Sequence, residues 1–280
     1  MNPIWSSTDF PYMCLKDKMR TKAFRKAINK VVKKDDVVVD VGAGTGILSF
    51  FAAEAGAKKV YAVEVEHLLV TALRKSISLN KLDKIVEVIE GDALEVALPK
   101  DVDILIAELI DTGLLDELQV PVLNMLRKKG TITNKTQVIP RSQKTFFQLV
   151  LADDVYYGHK IVAPKHEWPF YQTKRTGWLQ TMIESVSDII EVGSADFSLG
   201  IVKDSIDTIV NFTLNKKRRA NALRISGMST LTSGVQVGST MAFNGDKIIP
   251  IELIKGTDVV KLKISYRMGG GLGNLRLERL

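Results

Sequence analysis

The chain is expected to be an α/β protein: a doubly wound parallel sheet covered by helices, then an antiparallel β-rich domain. Three observations lead there. As far as Pro140, short apolar runs alternate with segments of helical periodicity. The runs VVVDV and ILIA are apolar on both faces, as parallel strands covered by helices must be. After Pro140 the period changes to two, and strand-like segments succeed one another without crossover helices. The expected division is therefore residues 1–140 and residues 141–280.

In the first part, Tyr12, Leu15, Met19, Phe24, Ile28 and Val31 recur at helical spacing and predict one amphipathic helix before the first strand. DVVVDVG reads as a strand, GILSFFAAEAGA as a helix ending at Gly56, KKVYAVEVE as a strand and HLLVTALRKSISLN as a helix. KIVEVIEGD and DVDILIAEL are further strands, completing a βαβα series. In the second part, Thr145, Phe147, Leu149 and Leu151 open an alternating run, and IDTIVNFTL, NALRISGM, KIIPIELI and VVKLKISYRM follow it. Asn244-Gly245-Asp246 supplies turn residues between them. In the last of these segments Lys261, Lys263, Ser265 and Arg267 alternate with Leu262, Ile264 and Tyr266, so one face is wet. An antiparallel sandwich or barrel is expected.

Composition narrows the function. Of 280 residues 45% are hydrophobic and 25% charged, which is enough apolar material for a substantial core. Cys14 is the single cysteine, which excludes a disulfide framework. With only His67, His159 and His166 beside it, no metal site is expected. The N-terminus lacks a basic segment followed by an apolar one, and no apolar run approaches the roughly 18 residues of a membrane helix. The expectation is a cytoplasmic protein without membrane contact. A net charge of +7 favours acidic partners such as nucleic acid, but only weakly, because 32 acidic residues are interspersed.

The first strand ends in Asp40-Val41-Gly42-Ala43-Gly44-Thr45-Gly46. Ile47 stands where a dinucleotide fingerprint wants its last small residue, and no Lys-Ser/Thr follows for a P-loop. Glycines at Gly42, Gly44 and Gly46 let the backbone approach a ligand at a helix N-terminus, where a carboxylate is favoured. Glu64 closes the next strand about twenty residues on, where an acid accepts from a ribose diol, and Asp92 follows the third strand, placed to take an adenine amino group. A strand-anchored glycine loop with an acid at each of the next two strand ends points to S-adenosylmethionine, with Asp40, Gly42, Gly44, Gly46, Glu64 and Asp92 as its site.

VVVDVGAGTGILSFFAAEAGAKKVYAVE resembles the cofactor loop of the protein arginine methyltransferases. Upstream, CLKDKMRTKAFRKAI is similar to the helix that in this family carries an arginine to the cofactor's carboxylate, which the resemblance places at Arg20. Downstream, AELIDTGLLDEL resembles the family's hairpin of two glutamates, with Glu108 and Glu117 at its spacing and Leu114-Leu115 between them. The resemblance covers Met13 to Pro140 and implies a Rossmann-like class I methyltransferase domain, S-adenosylmethionine as cofactor, and a β-rich domain that binds substrate. It departs in three places. Ala107 and Asp111 stand where the family has Ser and Gly, no threonine-histidine-tryptophan motif lies around Gly234 to Phe243, and Ala152 to Ser185 is the only stretch for a helical dimerisation arm.

The acids of 107–118 then have a chemical reading. A guanidinium stays protonated at neutral pH, and two carboxylates grip it through paired N–H···O bonds. They also offset the repulsion between two cations, the acceptor and the sulfonium. Glu108 and Glu117 are thus the expected catalytic pair for methyl transfer to arginine in a protein. The competing reading is plainer: an acidic helix start suited to the helix dipole. Methylation of RNA or of a small cationic metabolite, and a non-catalytic cofactor-binding scaffold, are the alternative functions; a homodimer is left open. Lys216-Lys217-Arg218-Arg219 reads as a solvated turn before it reads as an RNA contact, and Gly269-Gly270-Gly271-Leu272-Gly273 as a loop before a phosphate cradle. Trp168 and Tyr171 are candidates for lining a substrate groove.

Overall fold

The computed structural model describes residues 9–169, 177, 179, 181–215 and 219–280. Its first half is a five-stranded parallel sheet, with β1 (Val37–Val41), β2 (Lys59–Glu64), β3 (Val86–Glu90), β4 (Ile104–Ala107) and β5 (Gln137–Ile139) in the order β3-β2-β1-β4-β5. The apolar runs are buried as expected: Val38 and Val39 on β1, and Leu105, Ile106 and Ala107 on β4, have no exposed surface. α3 (Ile47–Glu54), α4 (His67–Leu79) and α5 (Gln119–Lys129) are its crossover helices. The chain order reverses between β1 and β4, whose ends lie side by side with Val41 opposite Ala107. Ligands of doubly wound sheets bind at such a switch point, beyond the carboxyl ends of the strands. The glycine loop and the acidic hairpin both start there.

The N-terminal helix differs from expectation. It is two helices, α1 (Asp9–Lys16) and α2 (Lys18–Val31), because the Asp17 carboxylate accepts from the N–H groups of Met19 and Arg20 and caps the second one. Tyr12, Leu15 and Met19, expected on a buried stripe, are exposed, while Phe24, Ile28 and Val31 enter the core. Asp17 also accepts from Thr240 Oγ1 and from Ala242 N–H, and the Phe24 and Phe243 rings meet edge-on at 5.9 Å. α2 is thereby fixed to both halves of the chain.

From Ser142 onward the sheets are antiparallel. β6 (Ser142–Ala152), β9 (Lys165–Glu167), β10 (Ile183–Asp196), β12 (Ala220–Thr232) and β14 (Asp246–Ile254) run in the order β10-β6-β12-β14-β9, with β13 (Val235–Val237) beside β12. β11 (Ser205–Thr213), β15 (Val259–Arg267) and β16 (Arg276–Arg279) form a second sheet. Val260, Leu262, Ile264 and Tyr266 of β15 face the core, so its alternation was read in the right register. The candidate arm segment, 152–185, holds β9 and the small ladder of β7 (Val155–Tyr156) with β8 (His159–Lys160), and no α-helix among its described residues. β10, which sequence reading did not find, starts at its end. Tyr171 and the basic residues Lys216, Lys217 and Arg218 lie outside the described residues.

Candidate active site at the sheet switch point

The cofactor side is built on the loop after β1. Gly42, Gly44 and Gly46 all have positive φ, between 53° and 80°, which L side chains rarely adopt. Gly42 is needed for space as well, since a Cβ there would sit 2.6 Å from Leu109 of the hairpin. Glu64, at the end of β2, is nearly buried and accepts three backbone N–H bonds: Gly44 at 2.8 Å on Oε2, Val65 at 2.9 Å and Glu66 at 3.0 Å on Oε1. A carboxylate has about four acceptor sites, so Glu64 first of all holds the glycine loop, with one site left on Oε2.

Asp40 lies beneath the loop, 1% exposed, where its Oδ2 accepts from Ser49 Oγ at 2.6 Å. Burial, and after it the nearby Glu64 charge, push this carboxyl up to about 6 although the Ser49 bond opposes them. Expected as a cofactor contact, it is placed as a tie between β1 and α3. Asp92 is exposed and uses Oδ1 to cap its own turn through Leu94 N–H at 2.8 Å. It stands at the same end of the sheet as Glu64, whose carbonyl accepts from Gly91 N–H. α1 lies over the loop, with Pro11 3.3 Å from the place a Gly44 Cβ would take.

Arg20, projecting from α2, is 5% exposed and forms an ion pair with Glu108 through Nη2 and Oε2. Its Nη1 reaches the Cys14 carbonyl at 3.5 Å, and its buried Nε has no partner. That orphaned donor, at the glycine loop's end of the sheet, is a fitting place for an amino-acid carboxylate. Cys14 nearby has its thiol pushed up to about 12 by burial and then by Glu108.

The acidic stretch is a hairpin-like loop around one 3-10 turn, Thr112–Leu114, and its acids do not open α5. α5 begins only at Gln119, its cap residue Leu118 makes no side-chain cap bond, and its first turn holds no acid. The four acids have separate assignments. Glu108 pairs with Arg20. Asp111 and Asp116 both bind the ammonium of Lys247 from β14, Asp116 at 2.6 Å. Lys247 is 5% exposed, and the two aspartates more than offset the burial that works against its charge. The Glu117 carboxylate has no hydrogen bond or ion pair among the described residues. Burial, then Glu108 and then Asp111, raise its pKa well above the ordinary carboxylate range, while Lys247 and then Arg20 oppose the shift.

Sequence reading brought Arg20, Glu64, Glu108 and Glu117 to one place and missed four further members. Gln119 accepts from Leu109 N–H at 3.0 Å, and Thr112 Oγ1 donates to the Gly245 carbonyl at 2.6 Å. His166 stacks on Trp168 at 4.3 Å and contacts the same carbonyl, and Lys247 holds the two aspartates. Only Lys247 carried a signal, as a cation at the head of the apolar strand KIIPIELI. Trp168 lies 6.3 Å from Phe10 of α1. Among the described residues no group of His, Cys, Asp and Glu could hold a metal ion, and no helix is long and apolar enough to cross a membrane.

A family model, ribosomal protein L11 methyltransferase (PrmA), matches residues 19–170. An uncharacterised protein of Methanocaldococcus jannaschii is 31% identical over 271 residues, 95% of each chain. Protein arginine N-methyltransferase 1 of Caenorhabditis elegans is 44% identical over 126 residues, which are 43% of this chain and 36% of that one. The Trypanosoma brucei PRMT1 enzyme–prozyme heterotetrameric complex with AdoHcy has the same fold, with a TM-score of 0.75 at 21% identity over 96% of this chain and 92% of that one. The chain belongs to the class I S-adenosylmethionine-dependent methyltransferases, matched by the PrmA model over half its length and built like the protein arginine methyltransferases.

Proposed function

We propose that the protein transfers a methyl group from S-adenosylmethionine to a guanidinium nitrogen of arginine in a protein substrate. The observation that carries this is Glu117: in a hairpin where every other acid has a cation, this carboxylate alone has none among the described residues. It is half-buried, and a carboxylate partly withdrawn from water beside other acids is relieved when a cation arrives. Glu108 supports the reading, because Arg20 takes its Oε2 and leaves Oε1 without a donor among the described residues. The two glutamates together offer a planar fork to a planar guanidinium.

The residues fit the cofactor. The glycine loop gives backbone access, Glu64 retains an acceptor site for a ribose hydroxyl, and Arg20 Nε offers a free donor to a carboxylate. When bound, S-adenosylmethionine supplies a methyl group activated by a sulfonium. The chain's part is to hold the acceptor nitrogen in line and to keep negative charge beside two cations. Glu117, whose affinity for a proton is raised by its surroundings, is suited to hold the proton that the nitrogen gives up.

The test is incubation with methyl-labelled cofactor and cell extract, followed by protease or nuclease and acid hydrolysis. Label in methylarginine from a protease-sensitive fraction is the expected result. Label lost to nuclease, or found in no macromolecule, would overturn the arginine assignment.

A further inference from the structure

Besides the bond from Thr112 to the Gly245 carbonyl, the β-rich domain reaches the hairpin at two further points that the methyltransferase reading does not use. The first is Lys247, whose Nζ binds Asp111 and Asp116. Asp111 passes this grip to the hairpin backbone, accepting from Leu115 N–H at 3.2 Å and from Glu117 N–H at 3.1 Å. The second is the glycine-rich loop after β15. Gly269 N–H donates to the Leu114 carbonyl at 2.9 Å, Gly271 N–H to the Leu115 carbonyl at 2.8 Å, and Leu272 N–H to Asp116 Oδ1 at 2.7 Å.

One of the loop's glycines is required by this docking. Gly269 has φ of +73°, and a Cβ on it would lie 3.0 Å from Pro121 and 3.4 Å from the Glu117 carbonyl. So the glycine-rich segment, read in sequence as a loop before a phosphate cradle, is spent on the hairpin. Asp111, where the resembled hairpin carries glycine, has its partner in Lys247; the departure and the lysine form one device.

We infer that Lys247 and the loop Gly269–Leu272 are positioning elements that fix the direction of the Glu117 side chain, so that the β-rich domain sets the geometry of acceptor binding. The inference rests on the reading of Glu117 as the acceptor's partner. The brace acts on the backbone of Glu117 through Asp111, and Lys247 adds a positive charge within reach of Glu117, as Arg20 does. Loss of the lysine leaves two aspartates uncompensated beside Glu117 and frees the hairpin to reorient. Lys247 bonds to Asp111 and Asp116 and not to the loop after β1, Glu64 or Arg20, so the larger effect falls on the acceptor.

The experiment compares wild type, Lys247→Met and Lys247→Arg for methyl transfer to an arginine-rich peptide and for S-adenosylhomocysteine affinity by calorimetry. Lys247→Met should lower kcat/KM for the peptide at least thirtyfold, with cofactor Kd within threefold of wild type. Lys247→Arg, which keeps the charge, should recover at least a third of the wild-type value. Lys247→Met active within twofold of wild type, or losing peptide activity and cofactor binding in parallel, overturns the brace. If Lys247→Met gives no folded protein, Asp116→Asn carries the test: at least a threefold loss at unchanged cofactor Kd supports the brace, and wild-type activity overturns it. Wild-type protein that methylates no arginine overturns the acceptor reading and the brace with it, whereas an active wild type matched by its variants overturns the brace alone.

Discussion

Replacing Glu64 by glutamine keeps the size of the side chain and removes its charge. The carboxylate now receives Gly44 N–H on one oxygen and both Val65 and Glu66 N–H on the other. Glutamine has one oxygen. Directed at Val65 and Glu66 it preserves two bonds and turns an NH₂ group toward the buried Gly44 N–H, setting donor against donor. An unsatisfied buried donor costs about 1–3 kcal/mol, and the two remaining bonds weaken because their acceptor is neutral. Gly44 relieves the clash only by leaving its conformation, so cofactor binding must restore it. The expected result is S-adenosylhomocysteine affinity reduced by roughly one to two orders of magnitude, with a small fall in Tm. Calorimetry and thermal melting check both. If affinity and Tm are both those of wild type, Glu64 does not hold the loop and the reasoning fails.

Asp40→Asn should stabilise the protein at neutral pH. The Asp40 carboxyl titrates near 6 when folded, above its usual 3.8, so the folded state binds the proton more tightly and wild-type stability falls as pH rises from about 4 through about 6. The asparagine variant should lose that slope and gain up to about 3 kcal/mol at pH 7, measured by urea unfolding across the range. Asp17→Ala should cost roughly 2–4 kcal/mol, because it removes the α2 cap and two buried bonds to Thr240 and Ala242; an unchanged Tm would contradict the role given to Asp17.

β1 and β4 were legible because they are apolar on both faces, and the chemistry sits at strand ends; the three-residue β5 was not read. Glu64 was placed by its strand end, and Glu108 and Glu117 by the resemblance of their stretch. β10 was not legible. It is the edge strand of its sheet, mostly half-exposed, and register shifts between Ser185 and Ile189 and between Glu191 and Gly193 break its period of two. The division between α1 and α2 was hidden by apolar spacing that runs on through Asp17, where a side-chain cap decides the matter. The division of labour among the hairpin acids was out of reach in principle: Lys247 lies 136 residues from Asp111, and only the fold brings them together. A sequence shows four acids; it does not show which of them are already neutralised.

The account stands or falls on Glu117 as the carboxylate reserved for a cationic acceptor. The measurement that tests it most directly is single-turnover methyl transfer to an arginine-rich peptide by Glu117→Gln and Glu108→Gln, alongside S-adenosylhomocysteine affinity for each. A charge-assisted bond is worth roughly 1.5–3 kcal/mol, so each variant should be slower by about one to two orders of magnitude or more, with Glu117→Gln binding the cofactor as wild type does. Glu117→Gln transferring methyl to arginine at the wild-type rate would contradict the account.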